Sequence, residues 1–405
     1  MHWTNAAEEA GRIAQDWTTE GGPGGAIILF DRQDIRAEAA GGLASLEGFR
    51  RFDADSVVRY ASVSKHFLCA TLLRTGAIGF DDPLGAHLSL PHPLADVTVG
   101  RALDMTGGLP DAMEMLWLLG VSPTTSLDRH ALLRFVSGFD ALNFAPGTEI
   151  SYSNTGYRLV QAALEAKLGP YDRLLADHFF RPLGLSIRLP EDETDPVPEL
   201  AAGYWRGPRG WQRGRYGLHF SASGGLAGSG RDLAVWAQAM LADSGPAEDL
   251  LPPLGALRHL EDGRPTGYGL GLARAPLGNA LLIGHGGSLP GYKNHFLLAP
   301  ARGAGVVVVS NREDTDAQTL ALRVMSVLLG IPRPDGAAGL LPAGRFVAEE
   351  GPFWLDQEAG TATFLGAAQV LHAGEDGWAE SNSAHLPMRL HAENGYIDGE
   401  IGHAS

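Results

Sequence analysis

The stretch Tyr60-Ala61-Ser62-Val63-Ser64-Lys65-His66-Phe67 places a serine three residues ahead of a lysine at the start of an apolar, helix-patterned run. The spacing predicts a helix over Ser62 to Arg74, with Val63, Phe67, Ala70 and Leu73 near one face and Gly76 set to stop it. Residues three apart share a helix face, so the Ser62 hydroxyl and the Lys65 amine can meet. A serine at a helix N-terminus also lies where main-chain N–H groups and the helix dipole favour developing negative charge. The choice of lysine is informative. A desolvated amine can lose its proton, whereas a guanidinium effectively cannot. Among 31 basic residues the only lysines are Lys65, Lys167 and Lys293; elsewhere a positive charge is written as arginine. The plainer alternative is a capping Ser62 beside a solvated Lys65, since S-x-x-K often arises by chance.

Two further clusters bear on that choice. Tyr152-Ser153-Asn154 follows the turn Ala145-Pro146-Gly147-Thr148 and precedes a predicted helix from Thr155, which puts a phenol and an amide at a loop-to-helix junction. There Tyr152 could relay a proton and Asn154 could bind a substrate carbonyl; helix capping is the alternative. Gly284-His285-Gly286-Gly287-Ser288 follows an apolar strand, and its glycines would let a substrate backbone approach the sheet edge, with a plain tight turn as the alternative.

Around these clusters the pattern runs helix, strands, helix-rich middle, strands, helix. Ala6 to Trp17 is helical; Ala26 to Phe30 and Asp34 to Ala40 form a hairpin. Gly100 to Thr106, Leu127 to Val136, Thr155 to Lys167, Tyr171 to Phe180 and Arg231 to Leu241 are predicted helices. Tyr268 to Leu272, Ala280 to Ile283, His295 to Leu298 and Ala304 to Ser310 are predicted strands, followed by a helix over Thr315 to Leu329. The expected class is α+β: an antiparallel sheet flanked by helices, with an all-helical insert at about 76–215. The catalytic domain is expected over 1–331, a Pro- and Gly-rich linker over 332–343 and a small β domain over 344–405.

With 405 residues and 44% hydrophobic content the chain can bury a large core. A net charge of −16 argues against nucleic acid and permits an amine-bearing substrate. Met1 to Glu20 is interrupted by Glu8, Glu9, Arg12 and Asp16, unlike a signal peptide, and no stretch is apolar enough for a membrane span. The expected location is therefore cytoplasmic, which the single Cys69 fits. There is no H-E-x-x-H and no cysteine pair, so no metal is expected and no cofactor is implied. His66 and Cys69 read as packing residues of the predicted helix.

In this order and separation, S-x-x-K, Y-x-N and H-G-G resemble the serine family of penicillin-recognising enzymes. That family holds class C β-lactamases, D-alanyl-D-alanine carboxypeptidases, related esterases and D-aminopeptidases. Val97 to Pro110 and Ala222 to Leu233 support the likeness, which covers about residues 5–330. It implies a β-lactamase-like fold with Ser62 as nucleophile, Lys65 and Tyr152 moving protons, and Asn154 orienting substrate. It also implies an oxyanion hole from the N–H groups of Ser62 and Ser288, with His285, Gly286, Gly287 and Ser288 on the last active-site strand.

Many members carry lysine where this sequence has His285, and that lysine helps hold a substrate carboxylate. Histidine titrates near neutrality and is a less dependable anchor. The pattern is closest to the D-aminopeptidase members, which release N-terminal D-residues, although those carry two β domains after the catalytic one and this sequence has room for one. A promiscuous esterase or amidase, a β-lactamase-like hydrolase, and an acyl-binding sensor without turnover stay open. The partner implied is a small-molecule or short-peptide substrate, with a homodimer as candidate assembly.

Overall fold

The computed structural model describes all residues except 123, 193–194, 216, 220, 333–339, 348–353, 359, 365–366, 375–376, 382–387, 394 and 402–405. The chain opens with helix α1 (Trp3–Glu20), whose Ala6, Ala10, Ile13 and Trp17 are buried at helical spacing. Strands β1 (Gly25–Asp31) and β2 (Ile35–Gly41) follow as an antiparallel pair. Helices α2 (Lys65–Thr75), α3 (Thr155–Leu168) and α4 (Gly230–Ala242) lie in the middle. Strands β3 (Ala273–Leu277), β4 (Ala280–Leu289), β5 (Tyr292–Ala299) and β6 (Ala304–Ser310) then lead to helix α5 (Ala317–Leu329).

One six-stranded antiparallel sheet joins the two ends of this region, in the order β2-β1-β6-β5-β4-β3. β1 meets β6 from Gly25 opposite Ser310 to Asp31 opposite Ala304. Both central strands are buried on two faces, which is why Ile27 to Phe30 and Val306 to Val309 read as unbroken apolar runs. Ile27, Leu29, Val306 and Val308 pack with residues of α1 and α5 on one face. Ile28, Phe30, Val307 and Val309 join Phe67, Leu68 and Trp236 of α2 and α4 on the other. Fully burying one such large apolar side chain contributes roughly 1.5–3 kcal/mol.

The middle section differs from expectation in three places. The helix predicted over Gly100 to Thr106 ends at Leu103, and Met105 turns to a φ of 69°. Tyr268 to Leu272 is not a strand: Gly267 and Gly271 hold φ of 69° and 73°, and the strand begins at Ala273. The insert ends in a two-stranded hairpin, Tyr204–Gly207 with Gly210–Arg213, inside the range expected to be helical. No helix of the described residues is long and apolar enough to cross a membrane.

Most of the expected linker, 333–339, lies outside the described residues. Beyond it, seven strands between Gly344 and Ile401 form a separate antiparallel sheet whose spatial order follows the chain. Leu341, Leu355, Leu371, Met388 and Leu390 supply its small core.

Candidate active site

Ser62 sits on a 3-10 turn, Ala61–Ser64, that runs into α2. Side chains three apart eclipse on such a turn, so Ser62 and Lys65 face each other more directly than on an α-helix. Main-chain and hydroxyl contacts pin this turn from outside. Tyr60 N–H donates to Leu226 O at 2.8 Å and Tyr60 OH to Ser229 O at 2.6 Å, while the Ser64 hydroxyl accepts Leu226 N–H at 3.1 Å. Ala61, immediately before the serine, is held at a φ of 53°, a conformation that costs a side-chain-bearing residue on the order of 1 kcal/mol.

Lys65 is fully buried, and its Nζ faces three oxygens: Ser62 Oγ at 3.2 Å, Asn154 Oδ1 at 2.8 Å and Ser223 O at 2.6 Å. Burial pulls its pKa down to about 7, against the opposing pull of Asp111 and Cys69. Once neutral, the amine has two protons and a lone pair. Asn154 and Ser223 take the two protons, which leaves the lone pair for the Ser62 hydroxyl. Tyr152 OH lies 2.6 Å from Ser62 Oγ, and Lys65 Nζ lies 4.6 Å from the centre of its ring. Burial raises the Tyr152 pKa, so the phenol stays protonated, although its bond to Ser62 pulls the other way.

Asp111 is part of this network and carries no signal in the three motifs. Buried at 4% exposure, it caps the helix Ala112–Leu118 by accepting Met113 N–H at 3.0 Å and Glu114 N–H at 3.1 Å through Oδ2. Its Oδ1 holds Asn154. The cap itself was legible, since Asp111 follows Leu109-Pro110 and precedes a helical run. Its reach to Asn154 depends on the fold. The same is true of Ser223, which contributes a main-chain carbonyl behind a strained Ser221 at a φ of 50°.

Strand β4 forms the opposite wall. β3 pairs with it only as far as Gly284, so its segment from His285 to Leu289 has β5 as its one strand neighbour. A Cβ on Gly287 would stand 2.0 Å from Tyr60 O, and one on Gly286 would stand 2.8 Å from His295 Nδ1. The glycines therefore make room for the protein's own Ser62 turn and for a β5 side chain. This differs from the substrate approach read from the sequence. Ser288 Oγ accepts Lys293 Nζ at 2.6 Å, and Lys293 also pairs with Glu313 at 2.9 Å.

These groups line a cavity of about 440 Å³ whose wall includes Ser62, Tyr152, Asn154, Gly286, Gly287 and Ser288. Among the described residues Asp316 supplies the only carboxylate on that wall, and Lys293 also reaches it. His285 does not: it is 1% exposed, and its ring lies 2.8 Å from Tyr268 OH. The expected direct contact between His285 and substrate is corrected accordingly. The His285 ring packs edge-on against Tyr268 in the core instead. Asn154 spends its carbonyl on Lys65 and one amide proton on Asp111.

His66 and Cys69 are buried beneath the site, as their packing reading has it. Trp236 Nε1 donates to His66 Nε2 at 2.7 Å, and burial lowers the His66 pKa to about 3 and raises that of Cys69 to about 12. Among the described residues no group of His, Cys, Asp and Glu could hold a metal ion.

With the site geometry in place, the chain can be set beside known proteins. The Beta-lactamase family model matches residues 10–329, and the chain belongs to that family. A D-aminopeptidase of Gluconobacter oxydans (strain 621H) is 27% identical over 318 residues, covering 77% of this chain and 60% of that enzyme. A D-aminopeptidase of Cereibacter sphaeroides (strain ATCC 17023) is 27% identical over 365 residues, covering 88% of this chain and 70% of that enzyme. The chain thus spans about 60% of the length of the first of these relatives.

Among solved structures, the octameric penicillin-binding protein homologue from Pyrococcus abyssi superposes with a TM-score of 0.72 at 18% identity, covering 97% of this chain and 98% of that one. D-amino acid amidase from Ochrobactrum anthropi SV3 gives 0.68 at 21% identity, covering 80% and 99%. These likenesses establish the β-lactamase-like fold.

Proposed function

We propose that this protein is a serine hydrolase that works through an acyl-enzyme and releases N-terminal D-amino acids from short peptides, amides or esters. The observation that carries the hydrolase reading is the convergence of Lys65 Nζ and Tyr152 OH on Ser62 Oγ, at 3.2 and 2.6 Å. The D-amino preference draws on the D-aminopeptidases among its relatives. Asp316 on the cavity wall offers a carboxylate for a substrate ammonium. The buried, single Cys69 fits a reducing, cytoplasmic setting.

In the proposed cycle neutral Lys65 takes the Ser62 proton as Oγ attacks the scissile carbonyl. The N–H groups of Ser62 and Ser288 receive the oxyanion. Tyr152 then hands its proton to the leaving nitrogen or oxygen and recovers one from the Lys65 ammonium. Water enters, gives a proton to the same relay, and releases the acid with Ser62 restored. Asn154 keeps Lys65 aimed throughout.

A broader ester and amide specificity is the second reading, favoured by a Ser62, Lys65 and Tyr152 arrangement whose chemistry serves esters and amides alike. Parallel hydrolysis of D-alanine p-nitroanilide, L-alanine p-nitroanilide and p-nitrophenyl acetate by wild type and Ser62→Ala separates the two. D-selective, Ser62-dependent anilide cleavage is the expected result. Cleavage of the acetate alone assigns the protein to the esterases, and activity unchanged by Ser62→Ala removes the nucleophile assignment.

A further inference from the structure

A second cavity, of about 780 Å³, opens on the far side of the turn that follows Ser288. Four arginines line it, Arg50, Arg59, Arg213 and Arg215, in a protein whose net charge is −16. Among the described residues Glu199 is its one lining carboxylate, and Arg50 already engages it, bonding Glu199 Oε2 at 3.2 Å and the carbonyls of Glu199 and Leu200 at 3.0 Å each. The side chains of Arg59 and Arg213 make no hydrogen bond or ion pair among the described residues. Both stand close enough to the Tyr292 phenol to act on it electrostatically, and Arg213 acts likewise on Glu47, whose carboxylate is bonded by Tyr204 OH. Arg59 is half-buried, so its charge is partly stripped of water, and its side chain pairs with no anion among the described residues.

The position of this cavity couples it to the candidate active site. Arg59 lies three residues before Ser62, and its carbonyl accepts Asn294 Nδ2 at 2.9 Å. Ser288, Leu289 and Lys293 face the first cavity, and Pro290 and Tyr292 face the second. The turn is held on the arginine side, where Tyr292 OH donates to Ala201 O at 2.7 Å. One turn thus separates the two cavities and carries the residue expected to supply an oxyanion N–H.

We propose that the arginine cavity is a binding site for a small polyanion, a ligand with two or more carboxylate or phosphate groups, seated across the Leu289–Tyr292 turn from Ser62. Guanidinium forks match the planar carboxylate and the phosphate oxygens, and two unpaired forks on one wall select a ligand with more than one such group. This chemistry fits either the distal end of an extended substrate or a separate effector.

The test uses the full chain, with citrate and inorganic phosphate as probes against chloride at matched ionic strength, read by calorimetry and thermal shift. Saturable citrate binding is expected in wild type and in Ser62→Ala, weakened at least tenfold in Arg59→Gln/Arg213→Gln. Arg213→Glu alone, on the exposed hairpin, should weaken it as well and decides the matter if the double variant does not fold by circular dichroism. Citrate that raises KM for p-nitrophenyl acetate places the anion on the substrate path; a change in kcat alone makes it an effector. A citrate response no larger than that of chloride, or equal binding by wild type and the folded variants, would overturn the assignment.

Discussion

Asp111 Oδ1 takes both N–H groups of Asn154, the main-chain one at 2.6 Å and the side-chain one at 2.9 Å, and so decides which end of the amide faces Lys65. A carboxylate only accepts, so the NH₂ must turn towards it, and Oδ1 of Asn154 is left for the Lys65 amine. Asp111 is thus a positioning residue acting at one remove from Ser62, the proposed nucleophile.

Asp111→Asn frees the Asn154 amide to flip and removes the charge that raises the Lys65 pKa. The acidic limb of the pH–rate profile is expected to move below the wild-type position near pH 7, and the limiting kcat/KM to fall by about tenfold, the effect of losing a hydrogen bond to a charged group. A limb that stays in place with unchanged kcat/KM would show that Asp111 merely caps its helix.

Lys65→Arg should lose at least about a hundredfold in kcat at every pH, because the guanidinium keeps its proton. The stability counterpart is separable with Lys65→Met. Between about pH 7 and 10.5 the unfolded lysine binds a proton that the folded one has released, so wild-type stability rises with pH through that window. Relative to Lys65→Met, wild type should gain up to roughly 5 kcal/mol across it in denaturant titrations and show no further change below it.

Gly287→Ala puts a methyl 2.0 Å from Tyr60 O, a backbone atom that cannot swing aside. A loss of about 1–3 kcal/mol and of most activity is expected, since the displaced turn carries Ser62. Gly286→Ala meets a side-chain atom, His295 Nδ1, at 2.8 Å and should be milder in both thermal melts and kcat.

His66 and His295 are both buried, and burial lowers their pKa values to about 3 and about 4. The unfolded chain binds protons at these sites below about pH 6.5 while the folded one resists, so stability should fall as pH drops from 6.5 towards 4 and below. His66→Gln keeps an acceptor for Trp236 Nε1 and should flatten that fall in urea titrations across pH 4–7. An equally steep fall in the variant would assign the acid sensitivity elsewhere.

Much of this was legible from the residues because period and spacing are local. The two-sided burial of β1 and β6 is written in their unbroken apolar runs, and Ser62 and Lys65 meet because they are three apart on one turn. What stayed hidden is contributed by distant chain. Asp111 and the Ser223 carbonyl reach Lys65 and its partner only through the packing of loops 43 residues from Asn154 and 158 from Lys65. The apparent alternation of Tyr268-Gly269-Leu270-Gly271-Leu272 mimicked a strand, but positive φ at Gly271 breaks it, and Tyr268 instead anchors His285 from behind.

The pairing of Gly25 with Ser310 has a consequence for how the protein is made. The first hairpin leaves the ribosome early, with one flank of β1 unpaired, and its partner β6 is translated nearly three hundred residues later. Until then β1 exposes an apolar edge, the kind of surface that chaperones hold and that aggregation exploits. The Gly286–Gly287 wall is also among the last parts to arrive, so Ser62 acquires its finished surroundings only when synthesis of this region is almost complete. Biogenesis therefore delays the assembly of the Ser62 pocket until the sheet that encloses it can close.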